Sequence, residues 1–211
     1  MNKSNTPTEY RQELRSKILN TASEQFRTKG IKAVKMDDIA GTLSISKRTM
    51  YEIYENKEQL LMETVKEDHQ KFEDQMQAYL AGGKRNVIDT ILAFYRLKMN
   101  ALSKVTPLYY TELQRYPEVI QWMEQKHLQH EHEEQSFFQQ GIEEGYFRPD
   151  ADYELLCNVS TGIMTYIMEN QLYKQYDLKE IFRNVSMLFL RGLCTQKGIC
   201  EFDSQMEKMD K

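Results

Sequence analysis

The chain has 211 residues, 40% of them hydrophobic and 28% charged, with a net charge of −4. That is long enough to bury one large core or two small ones, and the composition is that of a globular protein, not a disordered or fibrous one. No stretch is apolar enough to span a bilayer, and the first dozen residues lack the apolar core of a secretory signal, so a cytoplasmic protein is expected.

Four prolines and nine glycines, beside abundant Glu, Lys, Gln, Leu and Met, predict an all-α chain. Three widely spaced cysteines, Cys157, Cys194 and Cys200, form no CxxC pair, so neither a disulfide framework nor a zinc knuckle is expected. The charge is uneven. Met1 to Leu61 holds eleven Lys or Arg against eight Asp or Glu, whereas the rest holds seventeen against twenty-four. A small basic segment on an acidic body suits a nucleic-acid reader joined to a domain with other work.

In chain order, Leu14, Ile18, Ala22 and Phe26 repeat every four residues and predict a helix over 9–29, with Gly30 as its stop. Arg11, Arg15 and Lys17 lie on or beside its opposite face, either as phosphate contacts or as a solvated surface. A second helix is predicted over 36–43, with Asp37 and Asp38 in its first turn, where acidic groups suit the helix dipole. Ser44-Ile45-Ser46 reads as a turn, with Ser46 as N-cap of a third helix ending near Tyr54. That helix crowds Lys47, Arg48, Thr49, Tyr51 and Tyr54 into little more than two turns. Cations, a hydroxyl and phenols suit phosphates and base edges better than a core. The pattern is a helix-turn-helix.

The arrangement Asp38-Ile39-Ala40, Leu43-Ser44-Ile45-Ser46, Thr49-Met50-Tyr51, Tyr54 and Asn56-Lys57-Glu58-Gln59-Leu60-Leu61 resembles the tetracycline-repressor (TetR) family of bacterial regulators. The resemblance covers about the first third of the chain. It implies a homodimeric, all-helical repressor that binds double-stranded operator DNA and releases it when a small molecule enters the C-terminal domain. It places Lys47, Arg48 and Thr49 nearest base edges, and Tyr51 and Lys57 on phosphates. Two positions depart from the family pattern. Lys35 stands where a Ser or Thr usually caps the second helix, though a lysine there could reach a phosphate, and Ser44 where the turn commonly has glycine. The expected division is a DNA-binding domain over 1–61 and a ligand-binding and dimerisation domain over 62–211.

A connecting helix is predicted over 57–80, another over 86–103, and a short aromatic segment after Pro107. A long helix is predicted from Pro117 to about Gly145, its inward row reading Ile120, Met123, His127, His130 or Glu131, Glu134, Phe138 and Ile142. The polar middle of that row has three readings: exposure to water, a polar-lined effector pocket, or a metal site of His127, His130 and Glu131 or Glu134. No cofactor is implied. Helices over 153–173 and 178–193 carry more apolar surface than one core needs, with small Ser160, Thr161 and Gly162, and so predict a homodimer by helix pairing. The end of the chain, from Cys200, reads as a polar, loose tail.

The candidate ligand-binding residues are Tyr95, Met99, Tyr109, Tyr110, Trp122 and His127, which suggest an apolar or aromatic effector. An alternative is a DNA-binding protein without such an effector, controlled by a protein partner. The sequence contains no P-loop, Rossmann fingerprint, nucleophile elbow or HExxH, which argues against an enzyme.

Overall fold

The computed structural model describes residues 7–129 and 131–209, with side chains over 9–126 and 135–207. Among these residues the fold is all-helical: α1 Pro7–Lys29, α2 Met36–Thr42, α3 Lys47–Ile53, α4 Lys57–Ala81, α5 Val87–Leu102 and α6 Pro107–Leu113. There follow α7 Pro117–Gln129, α8 Glu131–Glu143, α9 Tyr153–Glu169, a 3₁₀ turn at Leu172–Lys174, α10 Leu178–Leu193 and α11 Gln196–Met209. Among the described residues no helix is long and apolar enough to cross a membrane. The metal reading of the α7–α8 region rests on His127, His130, Glu131 and Glu134, whose side chains lie outside the described residues.

Two compact units form, one of residues through Glu73 together with Lys104–Trp122, the other of Asp74–Ser103 and Met123 onward. In the first, Leu14, Ile18, Ala22 and Phe26 of α1 meet Ile39, Ala40, Met50, Leu60 and Leu61, with Ile18, Ala22, Phe26, Met50, Leu60 and Leu61 fully buried. The four-residue repeat of α1 is thus a core stripe. Polar ties fix the helices in register. Gln25 donates to Thr42 at 3.1 Å, and Arg27 pairs with Asp68 of α4 at 2.6 Å.

Chain order alone does not foresee that α6 packs in this first unit. Thr106 donates through both its N–H and its hydroxyl to the Arg27 carbonyl, at 2.9 and 3.0 Å, and buried Glu112 accepts from the Lys32 N–H at 2.6 Å. The loop between α1 and α2 is therefore held by a carboxylate eighty residues further along the chain. Val119 of α7 enters the same core at 3% exposed, whereas Met123, expected inward, is 42% exposed.

Burial gives this core an alkaline signature. Loss of hydration for the phenolate pushes Tyr54 and Tyr110 each up to about 12. Raised values favour the protonated form in the fold. The stability they contribute is fully present below the ordinary value near 10 and is lost as pH rises through about 12. Ultraviolet titration should show a late class of tyrosines, with urea midpoints falling across that window. A single step near 10 for all thirteen tyrosines would contradict the packing.

In the second unit, Val87, Ile88, Leu92, Phe147, Cys194 and Phe202 form the core, with Phe137, Phe138, Ile142 and Tyr153 against it. Over the described residues the stretch from Cys200 to Met209 is not the expected loose tail. It belongs to α11, whose Phe202 is 1% exposed and whose Gln205 donates to Asp89 of α5 at 3.0 Å. Its apolar residues Ile199, Phe202 and Met206 fall three and four apart. Polar neighbours mask that stripe in a reading by composition.

Candidate nucleic-acid interface

Helix α2 ends in a backbone motif that requires a left-handed residue. The Ser44 N–H donates to the Gly41 carbonyl at 3.1 Å and the Ile45 N–H to the Ala40 carbonyl at 3.0 Å, with Ser44 at φ 54°. This is a Schellman stop, in which glycine has no steric penalty and serine does. Ser44→Gly should therefore raise stability by about 0.5 kcal/mol or more. A lower urea midpoint for the variant would refute the strain at this turn.

At the start of α2, the Lys35 ammonium has no acceptor to offer, as its sequence implies. Part of a cap survives because the Asp38 carboxylate accepts from the Lys35 N–H at 3.2 Å. Helix α3 is capped by Ser46, whose hydroxyl accepts from the Thr49 N–H at 3.0 Å. The stop and the cap aim α3 by fixing the four residues between the helices.

Helical spacing sorts the side chains of α3. Met50 is fully buried and half-buried Ile53 packs beside it, so Lys47, Arg48, Tyr51 and Glu52 share the outward arc. Arg48 is the most open, its side chain 88% exposed, and Lys47 is 71% exposed. Tyr51 is 49% exposed. Thr49 lies at the flank, half-buried, and its hydroxyl pairs with Ser46 at 2.8 Å. It is less available to a base edge than its position in the sequence suggests.

Two residues grouped with the DNA contacts have other partners. Tyr54 is 1% exposed in the core, with the Arg15 guanidinium 5.3 Å from its ring centroid. A side chain so enclosed does not reach DNA in this conformation, which corrects the expectation for Tyr54. Lys57 is half-buried and donates to the Ile31 and Val34 carbonyls at 3.0 and 3.2 Å. Two of its three donors hold the α1–α2 loop, which leaves one for a phosphate.

Sequence reasoning missed the acidic partners of the reading face. Lys47 pairs with Asp37 at 2.5 Å and Arg48 with Glu52 at 2.8 Å. Both cations are held above their ordinary values, first by these hydrogen bonds and then by the carboxylate charge. The Arg48–Glu52 pair was legible from its four-residue spacing. Lys47–Asp37 was not, because it needs the turn to fold back. Beside α3, Arg11, Gln12, Arg15 and Ile53 line a hollow of about 170 Å³. Arg11 donates to the Glu52 carbonyl at 3.2 Å and Arg15 pairs with Glu63 at 2.8 Å.

The candidate ligand residues are divided between the two units. Tyr109, Tyr110 and Trp122 pack in the first unit, where Tyr109 is 8% exposed and Trp122 meets His69 edge-on at 5.5 Å. Tyr95 and Met99 belong to α5 of the second, where Tyr95 stacks on Phe182 at 5.9 Å. The His127 side chain lies outside the described residues.

Residues 18–64 match the family of bacterial regulatory proteins described as the tetR family. No curated protein matches the chain. Solved structures share its fold. A transcriptional regulator from Saccharomonospora viridis in complex with choline has a TM-score of 0.69 and 17% identity, covering 88% of this chain and 100% of that one. The fatty acid degradation regulator FadR from Bacillus halodurans gives 0.62 and 21%, covering 89% and 97%. The ketosteroid transcriptional regulator KstR2 of Mycobacterium tuberculosis gives 0.57 and 20%, covering 86% and 95%. Residues 18–64 thus carry a tetR-type helix-turn-helix DNA-binding segment, within a chain whose all-helical fold is shared by solved transcriptional regulators.

Proposed function

We propose that the protein is a ligand-responsive cytoplasmic repressor that binds a palindromic operator as a homodimer. The observation that carries the DNA reading is the outward arc of α3, with Lys47, Arg48 and Tyr51 exposed and Met50 anchoring the helix from behind. A helix so presented suits a major groove. Arg48 is assigned to a base edge, Lys47 and Tyr51 to the groove wall, and Lys35 and Lys57 to phosphates. Thr49 supports the helix start and reads at its margin. The reading function is assigned to residues 1–61, and ligand binding and dimerisation to 62–211.

Support for the homodimer comes from α9 and α10. Of the described residues, α9 buries only Ile167 and α10 only Leu193. Leu155, Val159, Tyr166 and Leu188 are 56, 44, 57 and 73% exposed. So much apolar surface on adjacent helices favours pairing with a second copy. Support for an organic effector comes from the neighbours, among them a choline complex, a ketosteroid transcriptional regulator and a fatty acid degradation regulator. Tyr95, Met99 and Phe182 are the first pocket residues to replace. Binding of the effector is assigned the role of favouring a dimer whose reading heads no longer fit successive grooves.

The test is to sequence genomic DNA retained by the purified protein, with and without cell extract, and to measure its mass in solution. A shared inverted repeat, no longer retained once extract is added, is the expected result. Retention of no common sequence sinks the operator reading, and a monomer at micromolar concentration sinks the homodimer.

A further inference from the structure

Both outward cations of α3 are already occupied. The Lys47 ammonium meets the Asp37 carboxylate at 2.5 Å, and Arg48 Nε donates to Glu52 Oε1 at 2.8 Å. We propose that Asp37 and Glu52 are specificity-determining residues, which cover the reading cations against arbitrary phosphates and orient Arg48 for guanine. This rests on the DNA reading above.

The geometry gives Glu52 two effects. By taking Nε it leaves the two terminal nitrogens of the Arg48 fork outward, a pair of donors that matches O6 and N7 of guanine. Its negative charge lies beside that fork and opposes the phosphates that any duplex offers. The helix turn bearing it is held as well, since Arg11 donates to the Glu52 carbonyl at 3.2 Å. Asp37 acts in the same way on Lys47 from α2, across the turn. Two positive and two negative charges thus meet on one face, and the sequence-independent attraction that dominates non-specific binding is reduced there. The pairs are exposed and solvated, so a competing acceptor displaces them readily. A site that offers base-edge acceptors together with phosphates makes good the loss, and a random site does so only in part. Discrimination therefore arises from a competing internal contact as well as from attraction.

The experiment uses the full chain and a labelled duplex of random sequence, about three helical turns long, titrated between about 50 and 200 mM salt. Glu52→Gln and Asp37→Asn are each expected to bind it about 3- to 10-fold more tightly, with the salt slope steeper by about 0.9 per freed cation. DNA selected from a random pool by either variant should show a weaker consensus than that selected by the wild type. Unchanged affinity and slope in both variants, with thermal midpoints retained, overturns the proposal. Placing Glu52→Gln in an Arg48→Ala background tests the route of action. A much smaller effect there supports orientation through Arg48, whereas a full effect overturns it. A wild-type protein that selects no consensus overturns the DNA reading itself, an outcome distinct from equal binding by wild type and variants.

Discussion

Replacing Gly141 with alanine is expected to destabilise the protein by about 3 kcal/mol, near the upper end for an overpacked core. A β-carbon at Gly141 falls 1.9 Å from Cδ2 and 2.4 Å from Cε2 of Phe147, far inside van der Waals contact. The ring has no room to retreat. It is 1% exposed and its centroid lies 5.7 Å from that of Phe137, 6.1 Å from Phe138 and 6.3 Å from Tyr153. Its backbone is fixed too. The Tyr146 and Phe147 N–H groups both donate to the Gly141 carbonyl, at 2.9 and 3.0 Å. On either side, Arg148 donates to the Leu193 carbonyl and Tyr146 accepts from Thr195, both at 2.9 Å. For a chain of this length the thermal midpoint should fall by roughly 6–12 °C. Gly41 of α2 is the control, since a β-carbon there meets nothing within 4 Å. Its alanine variant should melt no lower than the wild type, because alanine favours a helix over glycine. A Gly141→Ala protein that melted no lower than the wild type would show that the turn does not close on α8 as described.

Arg48→Ala is expected to lower discrimination at one base pair of each half-site by about 1–3 kcal/mol, roughly 5- to 150-fold. Two physical facts support a large effect. The side chain is 88% exposed on the outward arc of α3, and its fork retains two terminal donors after Nε is taken by Glu52. The contrast is Lys57→Ala. Removing the ammonium proposed to meet a phosphate there is expected to weaken binding to all duplexes alike and to make the salt slope shallower by about one. That variant should also melt earlier than the wild type, because the Lys57 ammonium donates to the Ile31 and Val34 carbonyls. The comparison is made by titrating both variants against the selected operator and against its guanine-substituted forms. Equal loss of discrimination in the two variants would contradict the assigned roles.

Much of the fold could be read directly from residue order. The four-residue repeat of α1, Ser46 as a cap, the Gly30 stop and the boundaries of α10 depend on contacts within a few residues, and these obey local rules. The helix-turn-helix was legible for the same reason. So was the awkward Ser44, whose φ of 54° follows from the turn that its neighbours impose.

The site was only partly legible. Outward Lys47 and Arg48 follow from the helical period once Met50 is placed inward. Tyr54 looked like a continuation of the same face, but α3 ends at Ile53 and the backbone turns extended at Tyr54, which swings the ring into the core. Periodicity cannot report the residue at which it stops. For the aromatic residues the sequence is silent on another point. Tyr95 and Tyr109 look alike in sequence, yet they belong to different compact units.

By itself the sequence determined the all-helical class, the reading head with its capped third helix, and the apolar surplus on α9 and α10. These are properties of local pattern and composition. Tertiary structure alone decided that Glu112 of α6 holds the α1–α2 loop, that the stretch from Cys200 to Met209 belongs to α11 against α5, and that Asp37 covers Lys47. Each of these joins residues far apart in order or across a turn. Such partners are selected by packing geometry and charge complementarity in space, which no short window of sequence contains.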